Sequence, residues 1–495
     1  MAGTSEPLLH DSQLSSITAA GDIEKVRGCR DFWREFCVES KKLWYLAGPA
    51  IFTSVCQYSL GAVTQMLVGQ VGTLELAAVS VENSVVAGFS FGIMLGMGSA
   101  LETLCGQAYG AGQLDMLGVY MQRSWVILNS TSVLLSLLYI FAGPILRFIG
   151  QPPDIADMAG KLSIWMIPQL FAYSMNFPTA KFLQAQSKMT VMAAIAVAAL
   201  AFHALFSWLL ILKLNWGLAG AAVVLNASWW LIVGAQLVYI FGGSCGRTWT
   251  GFSWKAFHNL WSFVRLSLSS AVMLCLEMWY YTALIMFAGY LKNAEVSVDG
   301  LSICMNIYGW AVMVAIGANA ATSVRVSNEL GAGHPRTAKF SVVVVVITSF
   351  LIGVILSLVL LIARKQYPSV FSNSEEVKKL VYELTPLLAT SIVVSNVQPV
   401  LSGVAIGAGW QALVAYINIG SYYAFGIPLG LLLGYKFDLG VQGIWYGMLA
   451  GTVLQTLILF WITYRTDWNK EASIAGERIK TWGGDTEDKG YEIEK

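Results

Sequence analysis

Ten stretches of this chain contain no Asp, Glu, Lys or Arg: 43–74, 83–101, 124–146, 162–180, 189–212, 214–246, 300–324, 340–363, 384–435 and 439–464. An α-helix needs about 20 consecutive apolar residues to cross the hydrocarbon core of a bilayer, so most of these stretches hold one span each. The interval 384–435 holds two, with Gly407-Ala408-Gly409 as the turn between them. One more span, near 263–290, is interrupted by a single acid, Glu277. The expectation is twelve spans. Backbone groups in lipid must be satisfied within their own segment, so spans this long are helices. Barrel strands would be about ten residues long and alternate apolar with polar, and these segments do neither.

Composition agrees. Of 495 residues, 56% are hydrophobic and 12% charged, where a soluble domain carries about 25% charged residues. Residues 1–42 are polar, so no cleavable leader is expected before the first span. Lys and Arg collect on one side. With the N-terminus in the cytoplasm, that side holds 21 of the 30, and the other side holds the remaining 9. Both termini are therefore expected to be cytoplasmic. The seven cysteines lie in spans or on the cytoplasmic side of this topology, which implies no disulfide framework.

The chain repeats itself. Gly110-Ala111-Gly112 at the end of span 2 returns as Gly331-Ala332-Gly333 at the end of span 8, 221 positions later. Gly96 meets Gly317 and Pro178 meets Pro399 at that offset, Met66 meets Met286 at 220, and Gly217 meets Gly440 at 223. An even number of spans per repeat gives both halves the same orientation, an architecture of transporters that bind substrate between the halves. The expected fold is an all-α membrane protein of twelve helices in two pseudo-symmetric six-helix bundles. Its parts are a tail at 1–42, a first lobe at 43–243, a connecting segment at 244–262, a second lobe at 263–464 and a tail at 465–495. Both tails read as mobile and solvated, and Trp249, Trp254 and Trp261 of the connection suit a membrane interface.

Phosphate-binding loops of the form GxxxxGK[ST] are absent, as is the HExxH signature. No enzymatic activity, cofactor, metal or nucleic-acid partner is expected, and an ion gradient is the available energy source. Glu277, in Leu274-Cys275-Leu276-Glu277-Met278-Trp279-Tyr280, lies deep in span 7. An ionisable group there is costly, usually faces the bundle interior and marks an ion or proton path. Gln57 is its repeat counterpart, and Tyr281 shares its helix face. Gln57, Tyr281, Asn306, Tyr308, Asn396 and Gln398 are the candidate cavity residues, each with an alternative role as interhelical glue. Glu82, Glu102 and Glu329 are placed at span ends, within reach of water. His203, with no acidic neighbour, reads as a packing histidine.

Three segments carry a family likeness: Leu101–Ala111, Arg325–Gly333, and Leu401-Ser402-Gly403-Val404-Ala405 followed by Gly409-Trp410-Gln411. They resemble signatures of plant multidrug and toxic compound extrusion transporters, and the likeness covers roughly residues 38–465. It implies a two-lobed exporter that exchanges a small organic solute for a proton or a sodium ion. The family's acid in span 7 matches Glu277. Bacterial relatives often carry an Asp in span 1 where this chain has Thr64, and many plant members carry an acid where it has Asn396. With one acid left at the matched positions, a proton is favoured over sodium. The start Glu39-Ser40-Lys41-Lys42-Leu43-Trp44 and the Asn396 variant resemble the branch associated with vacuolar loading of flavonoid glycosides and anthocyanins. The resemblance therefore favours the vacuolar membrane over the plasma membrane, and a monomer is expected. Trp279, Tyr280 and Tyr281 would suit stacking on planar ligands. A major facilitator transporter also has parallel six-helix halves. Its basic loop between spans 2 and 3 is replaced here by Tyr109–Leu117, which has one charge, Asp115. A receptor or scaffold without transport is the remaining alternative.

Overall fold

The structure, a computed structural model, describes residues 21–258, 260–288, 294–371 and 374–482. Among them, long helices stand where the charge-free stretches place them. The first lobe comprises α1 (Cys29–Val68), α2 (Thr73–Gly110), α3 (Leu114–Ile140), α4 (Ile167–Ala185), α5 (Met189–Lys213) and α6 (Gly217–Ser244). The second comprises α7 (Leu260–Ala288), α8 (Ala294–Gly331), α9 (Pro335–Ile362), α10 (Glu375–Ala408), α11 (Gln411–Lys436) and α12 (Gly440–Arg465).

Among the described residues, eleven helices are long and apolar enough to cross a membrane, and α4 is not among them. Its polar residues explain this, since Gln169, Asn176 and Lys181 are all buried. Gln236 of α6 donates to Asn176 over 3.2 Å, and Lys181 pairs with Glu102 of α2 at 2.7 Å. Enclosed by protein, α4 has little lipid to face and no need of an apolar surface all round.

The backbone records the repeat. Gly112 and Gly333, which follow α2 and α8, both take a left-handed φ, of 76° and 74°. Asn215 and Asp438, before α6 and α12, do the same at 54° and 56°, and these pairs are 221 and 223 residues apart.

Reciprocal contacts between the lobes show the pseudo-two-fold directly. A methyl group built on Gly96 would fall 2.5 Å from the Cα of Ala271, and one on Gly317 would fall 2.4 Å from the Cα of Ile51. One on Gly110 would meet the Asn328 carbonyl oxygen at 1.9 Å, and one on Gly331 the Gln107 carbonyl oxygen at 2.0 Å. Each contact maps onto its partner by the 220–221 offset. The lobes thus touch backbone to backbone along α2, α7, α8 and α1, through residues with no side chain, as small residues permit in membrane helix packing.

The tails depart from expectation. Helix α1 begins at Cys29, fourteen residues before the charge-free stretch, and Glu39, Leu43 and Leu46 on this extension are buried. Asp22 accepts from the backbone N–H of Thr337 at 2.8 Å and of Arg336 at 3.3 Å, capping the start of α9. A thirteenth helix, α13 (Trp468–Trp482), follows α12 and buries Trp468, Ala475 and Ile479. Its Arg478 donates to the Gln107 side chain at 2.9 Å and to the Ala408 carbonyl at 3.3 Å, so it bridges the two lobes. Burial lowers the pKa of this guanidinium from its ordinary value, against the opposing pull of Glu471. These segments were read as solvated because their charges break the apolar runs. The charges point outward or pair, and a single apolar stripe is enough to dock such a helix. Residues 1–20 and 483–495 of the tails lie outside the described residues.

Within the connecting segment, Trp254 and Trp261 are exposed, while Trp249 packs on Phe241 and Trp125 with ring centroids 5.0 and 6.1 Å apart.

Candidate functional site

Glu277 lies in the middle of α7. The neighbouring residues on this helix, Ala271, Cys275 and Met278, face Gly96 and Gly92 of α2, so the lobe interface occupies that side. The Glu277 side chain turns the other way, into the second lobe, and is half-buried. The Gln398 side-chain amide of α10 lies within reach of its carboxyl. The same amide group is held by the Ser402 hydroxyl at 3.1 Å, one turn further along α10.

Phenols surround this pair. Tyr281 follows Glu277 by one turn, and its ring lies 5.8 Å from that of Tyr308 on α8. Tyr308 is buried and shares a 2.5 Å hydrogen bond with the Ser395 hydroxyl of α10. Tyr422 of α11 stacks on Tyr280 with centroids 4.4 Å apart and planes at 9°. Tyr280 in turn donates to the backbone carbonyls of Gly447 and Met448 at 3.1 and 3.0 Å. Tyr281, Tyr308 and Tyr422 all lie close enough to feel the charge of the Glu277 carboxylate. Four helices thus converge on one carboxyl and offer it an amide and phenolic hydroxyls. That chemistry can hold a carboxylate, reorganise when it is neutralised, and present aromatic faces to an organic guest.

Of the residues singled out in the sequence, the structure gathers Glu277, Tyr281, Tyr308 and Gln398. Asn396 lies elsewhere: buried, its amide donates to the Ile392 carbonyl at 2.8 Å, and it packs against Gly353 of α9. Two residues from Gln398, it points to another side of α10, because successive helical residues turn by about 100°. Asn306 is exposed on α8. Gln57 is half-buried in the first lobe, on α1 beside Tyr58, whose ring meets Trp310 across the lobe interface at 5.2 Å. Sequence reading missed Tyr422 and Ser395, which are near Glu277 only in three dimensions.

The three other glutamates lack the access to water that the sequence reading gave them, although Glu329 does lie near the end of α8. Glu82, Glu102 and Glu329 are all buried, at 3%, 2% and 7% exposure. Helix α2 starts at Thr73, so Glu82 stands well inside it. The error came from taking the charge-free stretch as the whole span, so that an acid within a helix looked like its end. Glu102 pairs with Lys181, and Glu329 with Arg325 at 2.8 Å and His334 at 3.0 Å. His203 fits its sequence reading as a satisfied histidine, with Thr64 at 2.9 Å and Ser228 at 2.8 Å on its two ring nitrogens.

Known proteins bear on this arrangement. The MatE family model matches twice, over residues 49–209 and 269–432, and the two starts lie 220 residues apart. Protein DETOXIFICATION 30 of Arabidopsis thaliana is 68% identical over 472 residues, 95% of each chain. Protein DETOXIFICATION 29 of the same plant is 69% identical over 464 residues, 94% of this chain and 93% of that one. Among solved structures, the eukaryotic MATE transporter AtDTX14 superposes with a TM-score of 0.86 at 36% identity, covering 90% of this chain and 99% of its own. The Vibrio cholerae transporter VcmN in its bent form shares the fold, with a TM-score of 0.75 at 17% identity over 89% of this chain and 99% of that one. A double family match, carried on a two-lobed bundle whose halves touch through equivalent glycines, has one reading: the chain belongs to the MATE family of multidrug and toxic compound extrusion transporters, as a plant-type member.

Proposed function

We propose that the protein exports organic solutes from the cytoplasm in exchange for protons, with Glu277 as the coupling group. The observation that carries this reading is the Glu277 carboxyl facing the Gln398 amide amid Tyr281, Tyr308 and Tyr422. A proton needs one carboxylate, whereas sodium favours several hard oxygen ligands carrying negative charge, and the neighbours here are neutral. Protonation removes the charge that Gln398 meets and frees that amide, which favours a different packing of α7 against α10. Coupling requires proton and substrate to bias the two lobe arrangements differently, since a ligand with equal affinity for both shifts nothing.

The stacked phenols suit planar aromatic solutes such as flavonoid glycosides, and the relatives' name, DETOXIFICATION, suits xenobiotic export. The excess of Lys and Arg on the side bearing both termini supports a cytoplasmic location for them. On that orientation the closed contacts at Gly110 and Gly331 face the cytoplasm. A monomer in the vacuolar membrane is the favoured setting, with the plasma membrane second.

The test is flux into proteoliposomes driven only by an imposed pH difference, across a panel of organic solutes. The wild type is expected to accumulate a solute, and Glu277→Gln to be well expressed yet inactive. Undiminished uphill accumulation by that variant removes the coupling role. No flux of any solute by the wild type favours a receptor.

A further inference from the structure

Among the described residues, four glutamates other than Glu277 are buried among the helices, and three of them have a cation: Glu102 has Lys181, while Glu39 and Glu329 share Arg325. Glu82 is the exception. It lies nine residues, about 14 Å at the helical rise, into α2, is 3% exposed, and its Oε1 has no hydrogen-bond partner among the described residues.

The side chain lines a cavity of roughly water-molecule size within the first lobe, together with Thr64 of α1, Gln169 of α4, Leu162 and Met166 before it, and Leu225 of α6. Among the described residues no Lys or Arg lines it. The titratable groups near it are the phenols of Tyr139 on α3 and Tyr173 on α4, both buried, and Tyr173 takes a 2.6 Å hydrogen bond from Gln169. His203 of α5 stands behind Thr64. An ionised carboxylate with no cation and an unfilled acceptor is the one state such a site cannot sustain. Something must neutralise it, and the space beside it admits a proton or a hydronium-sized guest.

The backbone adds a second sign. Residues Glu82–Ala87 form a π-helical stretch inside α2, one of five such stretches among the described residues, and widened turns of this kind are frequent at functional sites. Nor is Glu82 a repeat copy of Glu277, because the position 221 residues on is Ile303.

We propose that Glu82 is a second proton-binding site, placed in the first lobe and independent of the Glu277 cluster in the second. Bound protons on both acids would let each lobe report its own protonation to the interface that joins them. That use in coupling rests on the proton-exchange reading above, whereas the protonation of Glu82 does not.

pH-difference infrared spectroscopy on the purified full-length protein in liposomes, without substrate, tests the site directly through the carbonyl stretch of protonated carboxyls. The wild type should show two buried carboxyls that titrate. Glu82→Gln should lose one band and keep the other, Glu277→Gln should lose the complementary one, and Glu82→Asp should shift the first band to a new position and pH midpoint. A Glu82→Gln spectrum identical to wild type overturns the proposal, as does a Glu82 band that stays constant at every pH. Should Glu82→Gln fail to fold, an unmoved band in Glu82→Asp overturns it equally. A Glu82 band that responds to added sodium at fixed pH makes this a sodium site and overturns the proton assignment. A wild type in which only the Glu82 band titrates would instead strike the coupling reading.

Discussion

Arg325 of α8 forks onto Glu39 of α1, its Nε and Nη2 donating over 2.9 and 3.1 Å to the two carboxylate oxygens, with both side chains buried. One end of this pair belongs to each lobe, and the third guanidinium nitrogen is held by Glu329 at 2.8 Å. The pair therefore ties the lobes together at the face where Gly110 and Gly331 meet their opposite backbones.

Removing one member strands a buried charge, which costs about 3–5 kcal/mol. Glu39→Gln is expected to lower the thermal midpoint of the purified protein clearly. The double variant with Arg325→Gln should lose less than the two single losses combined. Additive losses in that double-mutant cycle would show that the two side chains do not act as a pair.

The same reasoning ranks two other pairs. Lys181 and Glu102, 2.7 Å apart and buried in the first lobe, should behave like Arg325 and Glu39, so Lys181→Met should reduce folded yield severely. Lys378 and Glu375 are 2.9 Å apart on the surface, where such a pair contributes about 0–1 kcal/mol. Lys378→Met should leave the thermal midpoint nearly unchanged, and equal effects at the two sites would refute this ranking.

Valine at Gly110 has nowhere to go, since even a methyl group there overlaps the Asn328 carbonyl oxygen. Gly110→Val should hold the lobes apart on this face while each lobe stays folded. Spin labels placed on α2 and α8 near that end should report a longer distance than in wild type. An unchanged distance together with full transport would show that the contact is not needed.

Gln398 and Asn396 sit two residues apart and should part company in function. Gln398→Leu leaves the Glu277 carboxyl without its amide, a loss of about 1–3 kcal/mol, or roughly 5- to 150-fold in pH-driven exchange. Asn396→Ala should keep the exchange rate near wild type and lower stability instead, because its amide serves the Ile392 carbonyl. Flux measurements showing the reverse order would relocate the site to the α9 side of α10.

Much of this architecture was legible because lipid permits so few solutions. Charge-free length located the helices, and recurring Gly and Pro exposed the repeat. Four of those glycines, Gly96, Gly110, Gly317 and Gly331, are points where the lobes touch. The hidden part was charge that the interior tolerates. Glu82, Glu102, Lys181 and Arg325 each ended an apolar run and so marked a false boundary, and the partners of the charged pairs lay far away in sequence, 286 residues in the case of Glu39 and Arg325. Around Glu277, the phenols of α7 and α8 could be guessed from composition, but Tyr422 and Ser395 reach it only through tertiary packing. Asn396 shows the converse, a polar residue in the right helix on the wrong side.

Helix α13 carries a consequence for how the molecule is made. Chains leave the ribosome N-terminus first and their domains generally fold in that order, so all twelve spans precede the segment that holds Arg478. The two lobes must therefore enter the membrane and find each other before the tie from Arg478 to Gln107 and Ala408 exists. During biogenesis the face bearing both termini is held by the glycine contacts, the Arg325 pair and hydrogen bonds such as Gln107 to the Gly407 carbonyl and Asn328 to the Ala185 carbonyl, and α13 follows as a fastening added to that assembly.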